Sequence, residues 1–339
     1  MVLSKRFIGV IASALLCLSG TATAETAGGI VYMGNHATDE LMAAWVRNFQ
    51  QTHPDAKFEL RDATHLTTDA YDTAIASDDV DLIPSAREPM PLEIERLGRK
   101  LGGTPMVLAV GTGSYATKSG THALALYVNA ANPLQRITVD QIRAIYARDG
   151  AIKNWGQLGL TGEWADAPIR IYNAPMQDPD GNPMGITNYL RKRLFGSDEA
   201  GFRRSLYQID TTGPDLDHHM LTNIVRLVAE NRYAIGFSGF AFATSGVKPL
   251  RIAETEAGPY YQGSHAEVAG RVYPFTRTIY LGLTVTEPAK LRPALREFLR
   301  FILSPEGQAV FAEGPEKYLP LTPQAAAAER AKLDQGAQQ

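Results

Sequence analysis

The sequence is almost without cysteine. Its single cysteine among 339 residues, Cys17, lies in an apolar run near the N-terminus, FIGVIASALLCL. Lys5 and Arg6 precede that run and TATA follows it, the layout of a secretory signal peptide with an A-x-A site at Ala22 to Ala24. The run is about 12 residues, against the roughly 20 that a membrane-spanning helix needs. Leu16, just before Cys17, is not the small residue a lipidation site wants. Cleavage removes the only thiol and so excludes disulfides. An exported chain without them depends on its own core, which points to the bacterial periplasm.

Other absences narrow the function. No second long apolar run follows, so the mature chain is expected to be soluble. Blocks of basic residues are missing too. Removing Lys5 and Arg6 takes the 33 basic residues to 31 against 36 acidic ones, a net charge of −5 in place of −3. A mildly acidic chain of this kind is not expected to bind nucleic acid. No fixed-period repeat is visible.

Apolar residues, 45% of the chain, alternate between strand-like and helix-like spacing. GIVYM, KFELRD, VDLIPS and PMVLAVGTG read as strands, separated by helices at 39–51, 68–76 and 91–102. HALALYVN, PIRIYN, YAIGFSGFAFA and RTIYLGLTV continue the strands, with helices in TVDQIRAIYA and at 184–194, 221–230 and 290–303. Leu41, Met42, Trp45, Val46 and Phe49 form one helical stripe; Leu291, Leu295, Phe298, Leu299 and Ile302 form another. Such alternation predicts an α/β fold with a mostly parallel sheet and ligands near the carboxyl ends of strands. The middle, 122–270, begins and ends with apolar strands that suit crossings between two lobes. The Ala- and Gln-rich end, QAAAAERAKLDQGAQQ, reads as a frayed helix or a disordered tail.

The stretch GNHATDELMAAW runs a polar loop into an amphipathic helix. Gly34 lets the chain turn after its strand. Thr38 suits an N-cap, and Asp39 and Glu40 suit the positive end of the helix. A strand, glycine loop and helix N-terminus in series offer backbone N–H groups to an anion.

Metal and enzyme chemistry find little purchase. His36, His65, His122, His218 and His219 are the candidate ligands, but the adjacent pair His218–His219 lacks the i, i+4 spacing of a helical metal motif. GFSGF departs from G-x-S-x-G, and GTGSYA lacks the third glycine of G-x-G-x-x-G. No enzyme activity, no metal and no cofactor is expected.

GNHATDELMAAWVRNFQQTHPDAKFEL, SAREPMPLEIERL and ALALYVNAANPLQRITVDQIRAIYARDGAIKNWGQLGLTGEW carry a resemblance. So do YAIGFSGFAFA, YPFTRTIYLGL and FLRFILSPEGQ. Together they resemble the periplasmic phosphate-binding proteins of ABC transporters, two-lobed type II solute-binding proteins, over roughly residues 30–321. The resemblance implies an α/β fold whose lobes are mixed sheets flanked by helices and joined by two crossing strands. The expected division is a signal peptide at 1–24, a first lobe at 25–121 plus 271–323, a second lobe at 122–270 and a flexible or helical tail at 324–339. It implies a monomer that captures a small oxyanion, phosphate by family, and delivers it to an ABC permease in the inner membrane.

The family's binding loops map onto altered residues. Its Gly-Ser-Asp-Thr loop corresponds to Gly34, Asn35, His36 and Ala37. Its Gly-Ser-Ser corresponds to Thr67, Thr68 and Asp69, where Thr68 offers a hydroxyl and Asp69 a proton acceptor. Its Ser-Arg pair corresponds to Ala86 and Arg87. In the second lobe, Ala174 falls near the family's arginine, and Asp180, Gly181 and Asn182 near its Ser-Gly-Thr; Asp178 and Asp180 bring negative charge. Each charge-assisted hydrogen bond contributes about 1.5–3 kcal/mol, so losing an arginine and several hydroxyls predicts affinity weakened by about a thousandfold or more. The alternative implied is a diverged binding protein or sensor for another small polar solute, zwitterionic or sugar-like. Ser304–Pro305 should cap the last short helix, and Trp155 should pack a loop onto the second lobe.

Overall fold

The computed structural model describes residues 29–61, 67–116, 120–176, 184–196, 216–314 and 316–335; at 68 and 216–219 it describes the backbone alone. The signal peptide, His65, Asp178, Asp180, Gly181 and Asn182 lie outside these residues. No helix among those described is long and apolar enough to cross a membrane.

The first third of the chain alternates as its pattern predicts. Strands β1 (Ile30–Met33), β2 (Phe58–Arg61), β3 (Leu82–Ser85) and β4 (Val107–Thr112) are separated by helices α1 (Asp39–Gln50), α2 (Thr67–Ala76) and α3 (Pro91–Leu101). The chain then leaves this layer. Strands β5 (Leu124–Asn129), β6 (Arg136–Thr138) and β7 (Arg170–Tyr172) follow, with α4 (Val139–Tyr146) between the last two. Helices α5 (Gly185–Phe195) and α6 (Leu216–Glu230) lead to β8 (Ala234–Gly239), β9 (Val247–Pro249), β10 (Arg251–Ala253) and α7 (His265–Ala269). Strand β11 (Thr278–Leu283) brings the chain back. Helices α8 (Pro293–Ile302) and α9 (Pro305–Ala309), strand β12 (Leu319–Pro320) and helix α10 (Pro323–Ala331) complete it.

Two main sheets result. One has six strands in the order β12-β4-β11-β3-β1-β2, the other four in the order β7-β8-β5-β9; β10 and β6 form a separate pair. The predicted mostly parallel sheet is corrected here, because both sheets are mixed. β1 runs parallel to β2 and β3, but β11 is antiparallel to β3 and β4. In the second sheet β7 and β8 are parallel, and β5 is antiparallel to β8 and β9. Strands β5 and β11 are the ones that follow the crossings, so their direction is set by where the chain enters, not by helical return.

Each sheet has its own core. The first buries Leu41, Met42, Trp45 and Phe49 of α1 against Leu295, Phe298, Leu299 and Ile302 of α8, as the two stripes predict; Val46 is only partly buried. Trp45 donates Nε1–H to the Gly307 carbonyl at 2.8 Å and meets Phe311 edge-on at 5.4 Å. The second core gathers β5, β8, α4 and α6 around Tyr127, Tyr146, Phe237 and Trp155. Trp155 is fully buried and donates to the Tyr233 carbonyl, fixing its loop to the second sheet. Ser304 caps α9 by accepting from Gly307 N–H at 3.2 Å. Gln308, four residues on, is buried and donates to the carbonyls of Val110 and Ile302 while accepting from Leu321 N–H, which ties the strand edge to the last helices.

Through residue 335 the C-terminal segment is packed, not frayed. Helix α10 buries Ala326 and Glu329, and Leu333 beyond it is fully buried. Glu329 accepts from Ala109 N–H in β4 at 3.1 Å and pairs with Arg271 at 2.8 Å and Lys332 at 2.6 Å. An alanine-rich helix fastened at a buried carboxylate belongs to the first sheet's layer.

The two crossings lie side by side. Gly113 N–H donates to the Arg277 carbonyl, and Ser114 and His122 form a bridge through Ser114 N–H to Thr121 O and Ala123 N–H to Ser114 O. A side chain at 113 would have its Cβ 2.6 Å from the His122 backbone, so only glycine allows the strands this close. Gly120 sits at φ +73°, with Tyr318 Oη 2.3 Å from where a Cβ would be. Tyr318 Oη accepts from Thr121 N–H and donates to the Ala37 carbonyl, joining the crossing to the first loop.

Candidate binding cleft

The first loop folds in on itself. Asn35 is 3% exposed. Its Nδ2–H donates to Thr67 Oγ1 at 2.7 Å, and its Oδ1 accepts from Ala37 N–H at 3.1 Å. Asn35 N–H donates to Asp39 Oδ1 at 2.7 Å; Thr38 N–H donates to the Asn35 carbonyl; Gly34 N–H donates to the Arg61 carbonyl. Thr38 occupies the N-cap of α1 but its hydroxyl turns back to the Asn35 carbonyl instead of capping, a correction to its expected role. The N–H groups of Gly34, Asn35, Ala37 and Thr38 are thus hydrogen-bonded within the protein. His36 is exposed, and Asp69 is exposed in the first turn of α2. Thr68 lies in that same turn.

Arg87 sits on the loop between β3 and α3. Ser85 Oγ accepts from Arg87 N–H and donates to the Arg87 carbonyl, so the hydroxyl missing at Ala86 has a counterpart one residue earlier. The Ala86 carbonyl accepts from Thr121 Oγ1, anchoring this loop to the crossing. The guanidinium is clamped by Glu93 of α3: Nη1 to Oε2 at 2.9 Å and Nη2 to Oε1 at 2.5 Å, with the side chains 12% and 6% exposed. Glu93 also accepts from Met90 N–H at the start of α3, which explains why it is held in place. Sequence spacing gave no sign of this pairing; six residues is not a helical neighbour distance.

Helix α5 of the second lobe closes over the same loop. Arg87, Glu88, Pro89, Met90 and Pro91 face Gly185, Asn188, Tyr189, Arg191, Lys192 and Gly196 across a narrow cavity. One hydrogen bond joins these faces, Lys192 Nζ–H to the Pro89 carbonyl at 3.2 Å, while Tyr189 Oη–H to Thr276 O at 3.1 Å and Arg193 Nε–H to Pro274 O at 2.8 Å tie α5 to the returning crossing, whose Tyr273 and Phe275 pack in the second core. The cleft therefore lies between the lobes and is shut in this structure. Met184, at the N-cap of α5, has no capping oxygen, and the helix points its N-terminus toward the crossing strand. Ala174, where the family's arginine was sought, is buried and accepts from Thr187 Oγ1.

One residue of this cleft was not singled out as a site residue. Arg277, on the returning crossing, is 6% exposed. Its Nη2 lies 3.5 Å from where a Cβ on Gly185 would stand, and Arg87 Cδ lies 4.0 Å from the same point. Its Cζ is 5.8 Å from the Tyr189 ring centroid. The signal was present in YPFTRTIYLGL, a lone arginine in an otherwise uncharged run, because a charge buried there needs a reason. Glu88 lies nearby. Burial pushes its carboxyl up, opposed by Arg277, by its own N–H and that of Thr278, and by Lys192.

Two lobes, each with its own sheet and core, joined by paired crossings and shut over a cation-rich cleft, define a two-lobed binding protein. A family model described as a PBP superfamily domain matches residues 19–306, and the chain belongs to that family, one of binding proteins. The chain is 23% identical over 300 residues to the phosphate-binding protein PstS of Pseudomonas aeruginosa, covering 87% of this chain and 83% of that one. The fold is shared with PstS of Borrelia burgdorferi (TM-score 0.58, 16% identity, 86% of this chain and 98% of that one). It is shared also with an ABC-type phosphate transport receptor of Vibrio cholerae (TM-score 0.54, 17% identity, 86% and 99%).

Proposed function

We propose that the protein is a periplasmic solute-binding component of an ABC importer and captures phosphate, or an oxyanion of the same shape, between its lobes. The observation that carries this reading is the set of four cations along the cleft, Arg87 and Arg277 beside the start of α5 and Arg191 and Lys192 further along that helix, against the two carboxylates Glu88 and Glu93. A net positive, partly dehydrated cleft favours a small anion over a neutral sugar. The PstS relatives carry the same ligand in their names. On this reading the first lobe spans 25–121 and 271–323, with α10 added to it, and the second spans 122–270. Arg87 reaches the ligand, with Asp180, Gly181 and Asn182 assigned to it from the family's pattern, as are Gly34, Asn35, His36, Ala37, Thr68 and Asp69 on the first-lobe side.

The mechanism is capture without chemistry. An anion that touches both lobes stabilises the shut form, and the Lys192 bond across the cleft helps set how much closure the empty protein already has. The protein acts as a monomer and presents its closed form to a permease in the inner membrane. Thermal-shift screening against phosphate, sulfate, phosphonates, amino acids and sugars tests the ligand class. A rise in melting temperature with phosphate is expected, and a rise with only neutral sugars or amino acids overturns the reading.

A further inference from the structure

Arg277 poses a problem that the family pattern does not resolve. Its Nε is buried with no hydrogen-bond partner among the described residues, although the side chain is 94% buried by its 6% exposure. Burying a guanidinium without its hydrogen bonds is costly. Glu88 interacts with Arg277 electrostatically but does not hydrogen-bond its Nε, and Glu88 Oε2 is likewise buried without a partner among the described residues. The Tyr189 ring, 5.8 Å away, offers only its π-face. What Arg277 does face is the start of α5. Its Nη2 comes within 3.5 Å of the Cβ position of Gly185, which has no side chain to stand between them. The first N–H groups of an 11-residue helix have no partner inside the helix, and Met184 supplies no cap.

The N-terminus of α5 and the buried guanidinium of the returning crossing thus converge on one point. Both call for an acceptor carrying negative charge. We propose that Arg277 takes the place of the second-lobe arginine that Ala174 lacks, and binds one oxygen of the oxyanion together with the first-turn N–H groups of α5. This rests on the oxyanion reading given above. It also revises the expectation of weakened affinity, because the lost cation is resupplied from the crossing strand. An anion held there contacts the hinge itself, since the Arg277 carbonyl accepts from Gly113 N–H of the other crossing. Lobe closure and ligand contact then share one residue.

Calorimetry with inorganic phosphate tests this on the full exported chain and on Arg277→Gln and Arg277→Lys. Wild type should bind saturably. The glutamine variant, which removes the charge, should bind at least about tenfold more weakly. The lysine variant should fall between, since it keeps the charge and loses the planar fork. Circular dichroism of each variant without phosphate reports folding. If the glutamine variant does not fold, the lysine variant carries the test, with weakening of about threefold or more expected. Wild type that binds phosphate, with the folded variants within twofold of it, overturns the role of Arg277 alone. Wild type that binds no phosphate or sulfate overturns the oxyanion reading and this inference with it.

Discussion

The first loop and the interlobe cleft are two polar regions built to opposite ends. At Gly34–Thr38 almost every donor is matched inside the protein: Asn35 to Thr67, Ala37 to Asn35, Asn35 N–H to Asp39. At the cleft the Arg277 Nε and the Glu88 Oε2 are buried without hydrogen-bond partners among the described residues. Matched buried groups stabilise and rigidify; unmatched ones cost free energy that a ligand can return. A loop that looks like an anion cradle in sequence is a brace in structure, and the function proposed above places binding where donors are left over. Arg87 stands between the two cases, paired with Glu93 yet within reach of Gly185.

The largest effect that would sharpen this contrast is on Arg87. Arg87→Ala leaves Glu93 buried without its cation, held only by the Met90 N–H, which should cost about 3–5 kcal/mol of stability, measured by chemical denaturation. The double variant Arg87→Ala with Glu93→Gln should recover much of that loss without recovering phosphate affinity. Full recovery of binding would make Arg87 purely structural.

Asn35→Ala should cost about 1–3 kcal/mol, because Thr67 and Ala37 N–H lose their partner. Phosphate affinity by calorimetry should move less than about threefold on the brace account. A tenfold loss would break the comparison by returning the first loop to the ligand.

Glu88 gives a pH signature. Its carboxyl titrates above its ordinary value of 4.5 because burial disfavours the charge. As pH rises through that raised value, the site acquires a negative charge beside Arg277 and anion affinity should fall. Glu88→Gln removes this. The ratio of variant to wild-type phosphate affinity should therefore grow with pH and level off once Glu88 is ionised; phosphate's own titration cancels in the ratio. A ratio flat in pH would show that Glu88 does not sense the ligand.

The smallest effect is expected at Lys192, whose bond to the Pro89 carbonyl crosses the cleft at 3.2 Å. Lys192→Met should weaken phosphate binding by about threefold or less and shift the empty protein toward the open form, read by small-angle scattering. An unchanged radius of gyration would remove Lys192 from the closure account.

Much of the fold was legible because its signals are local. The stripes of α1 and α8, the Ser304 cap and the apolar strands at the crossings follow from spacing along the chain. Strand direction was less so, since β5 and β11 owe theirs to a route between lobes. The cleft was least legible. Asn35 is a plausible ligand donor until Thr67 is seen beside it, and Arg87 is a free cation until Glu93 is. Arg277 meets Gly185 across 92 positions of chain, a proximity that no local pattern encodes. The tail misled for a related reason: its alanines are weakly apolar, and what holds α10 down lies far off in sequence, in the Glu329 carboxylate reaching Ala109 and Arg271 and in Ala326 and Leu333 packed into the first core.

The most direct measurement of the central claim is a crystal structure of the protein with phosphate bound. The account predicts the anion between the Arg87 loop and the start of α5, within hydrogen-bond distance of groups from both lobes. Phosphate seated at Gly34–Thr38 with that loop opened and α5 out of contact would contradict it.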